Sequence, residues 1–303
     1  MSNNTTVSLV LGSGGARGLA HIGVIEWLEE NGYEIKSISG SSMGALIGGI
    51  YAAGELATYR KWVTALDRSD IVRMLDLSFG WGGLLKGERI INTLRDLVGD
   101  REIQDLPISF TAVATDIEQR KEVWLSRGPL FDAIRASIAV PLVFTPHEIN
   151  GRKLLDGGLL NPLPVAPTLR DHNDVTIAVN VDAPCDRAPP TPRGDRRKSG
   201  QRLSPEIDED PAKSNNYGER VKAFIQELQG RMTPEAKQDW GFFDVMLLSI
   251  ETMQSAIVRM KTAPYTLDYY LTIRSDAARA YEFYRADELI QLGRETAERY
   301  LAG

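Results

Sequence analysis

Two glycine-rich turns, each set between an apolar strand and a helix, constrain this chain more than anything else in it. The first is Gly12-Ser13-Gly14-Gly15-Ala16-Arg17-Gly18 and the second is Gly40-Ser41-Ser42-Met43-Gly44. Val7 to Leu11 is short, apolar and stopped by glycine, so it reads as a buried strand. Ala16 to Asn31 carries helical spacing and closes at Asn31-Gly32. Glu34 to Ser39 is a second strand and Met43 to Ala53 a second helix. A β-α-β-α order of this kind predicts parallel strands joined by right-handed crossovers.

The second turn has the spacing G-x-S-x-G, which lifts one serine out of a strand-to-helix elbow. Only Ser42 fits the register, because centring the motif on Ser41 requires glycine where Ser39 and Met43 stand. Gly40 and Gly44 permit the sharp turn and the close helix packing. An isolated G-x-S-x-G is more often a plain tight β-α connection. Here a strand precedes it, a helix follows, and a loop of potential N–H donors lies close by, so Ser42 is the candidate nucleophile.

Gly12 to Gly18 has several readings. A dinucleotide fingerprint needs glycine at the sixth position from Gly12, where Arg17 stands, and a P-loop needs Gly-Lys-Ser/Thr. A flexible turn is the bland alternative. A backbone anion nest at a helix N-terminus fits better. Gly14 and Gly15 are its expected donors, joined by the amide of Met43, with Gly12 and Gly18 in support. Arg17 either reinforces that nest or pairs with a surface carboxylate.

The base for Ser42 is less legible. His21 sits in the first helix as a packing or hydrogen-bonding residue, His147 follows Pro146, and His172 lies in a polar loop. A triad of Ser42, Asp156 and His172 has the right chain order. Asp156-Gly157-Gly158 is the more conspicuous candidate, although Asp-Gly is also a common hairpin turn.

Taken in order, Gly12–Gly18, Gly40–Gly44 and Asp156–Gly158 resemble the signature of the patatin-like phospholipases, particularly their short bacterial members. Arg135-Ala-Ser-Ile-Ala-Val-Pro141 is similar to a further family segment that backs the active site. The resemblance runs over roughly Val7 to Pro167, and more weakly through Tyr269 to Leu301. It implies a three-layer α/β/α sandwich with a mostly parallel sheet. It also implies a Ser42–Asp156 dyad without histidine, an oxyanion hole at Gly14, Gly15 and Met43, and hydrolysis of acyl esters in phospholipids or lysophospholipids. Rival readings are a carboxylesterase or acyl-CoA thioesterase with the same dyad, and a catalytically weak lipid-sensing regulator.

Composition limits the alternatives. With 303 residues, 43% hydrophobic and 25% charged, the chain has the make-up of a globular α/β protein. A net charge of −6 argues against a nucleic-acid partner. The single cysteine, Cys185, allows no intrachain disulfide and suits a reducing compartment. With no leader-like segment ahead of the first loop, the expectation is a cytoplasmic protein whose membrane contact is peripheral. No metal cluster or nucleotide motif is visible, so no cofactor is expected.

Further strands are predicted at Ser109–Asp116, Lys121–Leu125, Val175–Val181 and Tyr269–Ile273, and helices at Arg89–Val98, Leu130–Ile138, Tyr217–Gln229 and Ala286–Leu301, while Arg152–Leu155 leads into Asp156-Gly157-Gly158. Three regions are expected: a catalytic core over 7–184, a polar and disordered insertion over 185–216, and a helical region over 217–303. In that last region a late strand and helix return to the same domain. Phe79 to Leu85 could form an apolar rim. Phe242 to Met260 is an amphipathic helix for which a core role is commoner than a lid or membrane-docking role.

Overall fold

The computed structural model describes residues 5–73, 85–185 and 242–302. The expected rim at 79–84, the polar insertion at 186–216 and the helix expected at 217–229 lie outside them. An eight-stranded sheet forms the middle of the molecule, with β1 (Thr5–Leu11), β2 (Tyr33–Ser41), β3 (Ser109–Asp116), β4 (Lys121–Leu125), β5 (His147–Ile149), β6 (Arg152–Asp156), β7 (Val175–Ala183) and β8 (Tyr269–Arg274). Its order is β5-β6-β3-β2-β1-β7-β8, with β4 also paired to β3. The run β3-β2-β1-β7-β8 is parallel throughout, as the alternating pattern predicts. β4, β5 and β6 are antiparallel.

Helices cover the sheet. They are α1 (Ala20–Glu30), α2 (Met43–Ala52), α3 (Leu56–Thr64), α4 (Arg68–Arg73), α5 (Glu88–Val98), α6 (Leu130–Ser137), α7 (Phe242–Thr262) and α8 (Ala286–Leu301). Leu9 and Leu11 of β1, Ile22 and Ile25 of α1, Ile47 and Ile50 of α2 and Leu271 of β8 are fully buried, so the core between sheet and helices spans both ends of the described chain. None of the helices among the described residues is long and apolar enough to cross a membrane.

Three sequence expectations change. The helix expected from Ala16 begins as a 3-10 turn, Gly15–Leu19, before α1 takes over at Ala20. Asp156-Gly157 is not a hairpin turn. β6 ends at Asp156, whose side chain accepts the Gly158 N–H and caps a short 3-10 turn over Gly157–Leu159. The hairpin lies upstream, between β5 and β6, where Asn150 and Gly151 both have positive φ (52° and 74°). That Asn-Gly pair is the strongest short-range hairpin signal in the segment.

The third change concerns α7. Its apolar stripe is not core. Val245, Met246, Leu248, Met253 and Met260 are exposed, and Met260 retains 67% of its surface. Val258 is buried on the opposite side, at 5%. The helix is thus amphipathic with its methionines outward and its polar residues Glu251 and Gln254 on the Val258 face.

Candidate active site

The sheet itself brings the candidate residues together. On one edge β3 pairs with β4, so β2 and β6 share the other. β2 runs along that edge as far as Ser41, opposite Val113. β6 arrives from the other direction and ends with Asp156 opposite Ala114. Two strands therefore meet head to head at neighbouring residues of β3, and the residue after Ser41 comes up against Asp156.

Ser42 sits at that meeting point with φ 53° and ψ −121°, a conformation rare for a residue with a side chain. Glycines make the elbow feasible. A side chain on Gly44 would strike the Leu11 carbonyl, and one on Gly40 would strike the Gly44 backbone. The Ser42 N–H donates to Ser137 Oγ at 2.9 Å, and Ser137 Oγ donates in turn to the Val113 carbonyl at 2.6 Å. The Asp156 N–H donates to the Ala139 carbonyl at 3.0 Å. The segment after α6 thus braces both candidate residues, and Arg135 anchors it through the Lys86 and Thr145 carbonyls.

Ser42 Oγ donates to Asp156 Oδ2 at 2.6 Å. Asp156 Oδ1 accepts the Gly158 N–H at 2.7 Å. The carboxylate is 2% exposed. Burial raises its pKa to about 6, against the two hydrogen bonds, which favour the charged form. Gly157 packs so tightly on the Val113 carbonyl that no side chain fits there.

The glycine loop runs beside this pair. Gly12 and Ser13 donate their N–H groups to the Val179 and Pro162 carbonyls, and Ala16 donates to the Ala280 carbonyl. The N–H groups of Gly14, Gly15 and Met43 are engaged by no acceptor among the described residues. Gly18 lies against Met43, holding the first turn to the start of α2. Gly15 has φ 55°, and a Cβ there would lie 2.6 Å from the Ala280 carbonyl oxygen. The β8–α8 connection thus requires glycine at this position.

The histidines stand apart from Asp156. His21 is fully buried, and its Nε2 donates to the Gly12 carbonyl at 2.8 Å. Burial lowers its pKa to about 4, so it is neutral near pH 7 and props the glycine loop. His147 lies in β5, 3.7 Å from Asp132. His172 is exposed just before β7, at the N-terminal end of the parallel strands, whereas Ser42 follows the C-terminal end of β2. The geometry overturns a Ser42–Asp156–His172 triad.

Arg17 pairs with carboxylates, but inside the molecule and not at its surface. It is buried, with 2% exposure, and donates to Asp182 at 2.8 Å, Glu251 at 2.9 Å, and the Ser275 and Ala278 carbonyls. It is an internal node that ties the glycine loop to β7, α7 and the β8–α8 connection. Burial pushes the pKa of Asp182 up to about 7, outweighing the Arg17 charge, and the nearby Glu251 adds to the rise. Sequence reasoning missed Gln254 of α7, which reaches the space above Gly158. A single glutamine in a helix carries no signal of that placement. Among the described residues no group of three or more His, Cys, Asp or Glu is arranged to hold a metal ion.

Residues 9–169 match the family model described as patatin-like phospholipase. An uncharacterised NTE family protein of Mycobacterium tuberculosis is 39% identical over 99% of this chain and 92% of its own length, and one of Mycobacterium bovis matches to the same extent. The protein named lysophospholipase NTE1 in Saccharomyces cerevisiae is 35% identical over 60% of this chain, which corresponds to 11% of that longer protein. With the family signature over more than half of its length and relatives of this similarity along nearly all of it, the chain belongs to the patatin-like phospholipase family.

Proposed function

We propose that the protein is a serine acyl hydrolase that cleaves ester bonds of phospholipids or lysophospholipids with a Ser42–Asp156 dyad. The observation that carries this reading is the 2.6 Å bond from Ser42 Oγ to Asp156 Oδ2 at a positive-φ elbow. Asp156 accepts the Ser42 proton as Oγ attacks the ester carbonyl. The tetrahedral oxyanion is held by the N–H groups of Gly14, Gly15 and Met43. Asp156 then passes the proton to the leaving alcohol, which leaves an acyl-Ser42. In the second half Asp156 takes a proton from water, and the resulting attack releases the fatty acid and restores Ser42.

An aspartate with an ordinary pKa of ~3.9 is a weak base at neutral pH. The value of about 6 at Asp156 makes a stronger one while leaving it ionised near pH 7. Preorganised backbone donors supply the remainder, and the loss of one such donor typically costs ~10²–10³ in rate.

Fluorophosphonate labelling with peptide mapping, followed by a panel of phospholipids and lysophospholipids, tests the assignment. Labelling is expected at Ser42 alone. Ser42→Ala should abolish it and lower ester hydrolysis by at least ~10³ while keeping a cooperative melt. Labelling that maps to Ser41 or Ser137, or that survives in Ser42→Ala, refutes it.

A further inference from the structure

An oxyanion site at Gly14 and Gly15 needs N–H groups held in fixed directions, yet glycine is the residue whose backbone turns most freely. The restraint comes from outside the loop and acts on peptide units at either end of it. Downstream, the Ala16 N–H donates to the Ala280 carbonyl at 2.8 Å. Upstream, the peptide unit joining Gly12 to Ser13 is gripped at both of its polar atoms. Its N–H donates to the Pro162 carbonyl at 2.8 Å, and its carbonyl accepts from His21 Nε2, also at 2.8 Å. A peptide unit is planar, so these two bonds fix the tilt of the whole plane from which the loop departs. His21 is fully buried in α1. The Gly12 carbonyl only accepts, so the imidazole proton sits on Nε2. Nδ1 is then bare, and it has no hydrogen-bond partner among the described residues. A proton added there would be buried with nothing to receive it, in keeping with a pKa that burial lowers to about 4. The ring also lies beside Gly18, which packs on Met43, the remaining donor.

We propose that His21 is a positioning residue for the reaction: by donating from Nε2 to the Gly12 carbonyl, it sets the direction in which Gly14 and Gly15 present their N–H groups to the oxyanion. The role rests on the hydrolase reading above and adds to it a residue that touches neither the substrate nor Asp156. Donors stabilise charge only when aimed at the place where it develops, and a misplacement of ~1 Å can cost ~10² in rate. The charge exists in the transition state and not in the bound ester, so a misaimed loop lowers kcat and leaves KM nearly unchanged. A residue that only filled space would behave differently, because any side chain of similar size would replace it. Methionine and glutamine are close in length, but only the glutamine amide carries an N–H donor.

The test compares His21→Met with His21→Gln on p-nitrophenyl butyrate. Rates are expressed per Ser42 labelled to completion by fluorophosphonate, so unfolded protein is not counted. His21→Met is expected to lose about 10- to 100-fold in kcat with KM within about twofold of wild type. His21→Gln should recover kcat to within about threefold of wild type. A His21→Met protein with full kcat overturns the role, as do equal losses in the two variants or a loss confined to KM. The bond itself is read without altering His21. In a ¹⁵N-histidine-labelled protein carrying His147→Gln and His172→Gln, His21 is the one histidine left. Its signal should show a proton on Nε2 and none on Nδ1, unchanged between about pH 5.5 and 8. A proton on Nδ1, or a titration within that range, overturns the role even if the His21 variants do not fold. A wild type that neither hydrolyses the ester nor takes the label refutes the hydrolase reading and the role with it. An active wild type with an unaffected His21→Met refutes the role alone.

Discussion

Asp156 has to be both a buried carboxylate and a working base, and these demands pull in opposite directions. Burial lifts its pKa to about 6, while the bonds from Ser42 and Gly158 lower it. For a base that must be ionised, kcat/KM should rise with pH and level off above about 6. A rate that stays flat down to pH ~4 would identify some other base. Stability runs the other way. The native value lies above the unfolded one, so the folded state binds the proton more tightly. That contribution is complete below about pH 4 and lost as pH rises through about 6. A difference of this size is worth on the order of 3 kcal/mol. Asp156→Asn removes the ionisable group. It should therefore be at least as stable as wild type at pH 7, with the advantage vanishing below about pH 4, and its hydrolysis should fall by ~10³ or more. Urea unfolding at the two pH values, with activity measured on the same protein, checks both halves. A variant clearly less stable at pH 7 would mean that the ionised carboxylate holds the elbow together.

Among the elements, what was legible in the sequence depended on how local the cause is. The elbow and the glycine loop could be read because the spacings of Gly40, Ser42 and Gly44, and of Gly12 to Gly18, are set by backbone demands within one turn. The meeting of β2 and β6 could not. It depends on β3 offering one edge to two strands, and nothing near Ser42 or Asp156 encodes that. The helical period of α7 was visible, but periodicity does not say which face turns inward, and the outward methionines reversed the expectation. The partners of Arg17 were illegible for a related reason. Its partners Asp182, Glu251, Ser275 and Ala278 lie more than 160 residues away in sequence. Because Arg17 is an internal tie, Arg17→Ala should act through stability, costing about 3–5 kcal/mol by stranding buried Asp182. The loss should shrink below about pH 7, where Asp182 takes up a proton. Thermal melts at pH 5.5 and 8 (about; chosen to bracket that titration) measure it. An Arg17→Ala protein with a wild-type melt but little activity would return Arg17 to the oxyanion site.

For the whole molecule, the matched family region ends at residue 169, yet the described fold does not. β7 and β8 extend the parallel sheet beyond β1, and Ala280 in the following connection holds the glycine loop through the Ala16 N–H. The last helix, α8, then packs on the first, α1. Their backbones approach so closely that a Cβ on Gly23 would collide with the Ile290 carbonyl and one on Gly293 with the Ala20 carbonyl. Such reciprocal glycines let two helices pack nearer than side chains permit. Ala20 follows directly on the 3-10 turn that carries Arg17, so the C-terminal helix helps to fix the position of the glycine loop. We expect Gly293→Val to cost at least about 3 kcal/mol, since the obstacle is backbone and cannot swing aside as a side chain would. Arg294→Ala, one residue on, removes only a surface pairing with Glu30, which solvent screens, and should cost far less than Gly293→Val. Urea unfolding of the two variants separates packing from charge. Two similar, small losses would mean that α8 is peripheral to the fold. A large loss at Gly293 alone, accompanied by weaker fluorophosphonate labelling of Ser42, is the result expected if the far end of the chain holds the glycine loop in place.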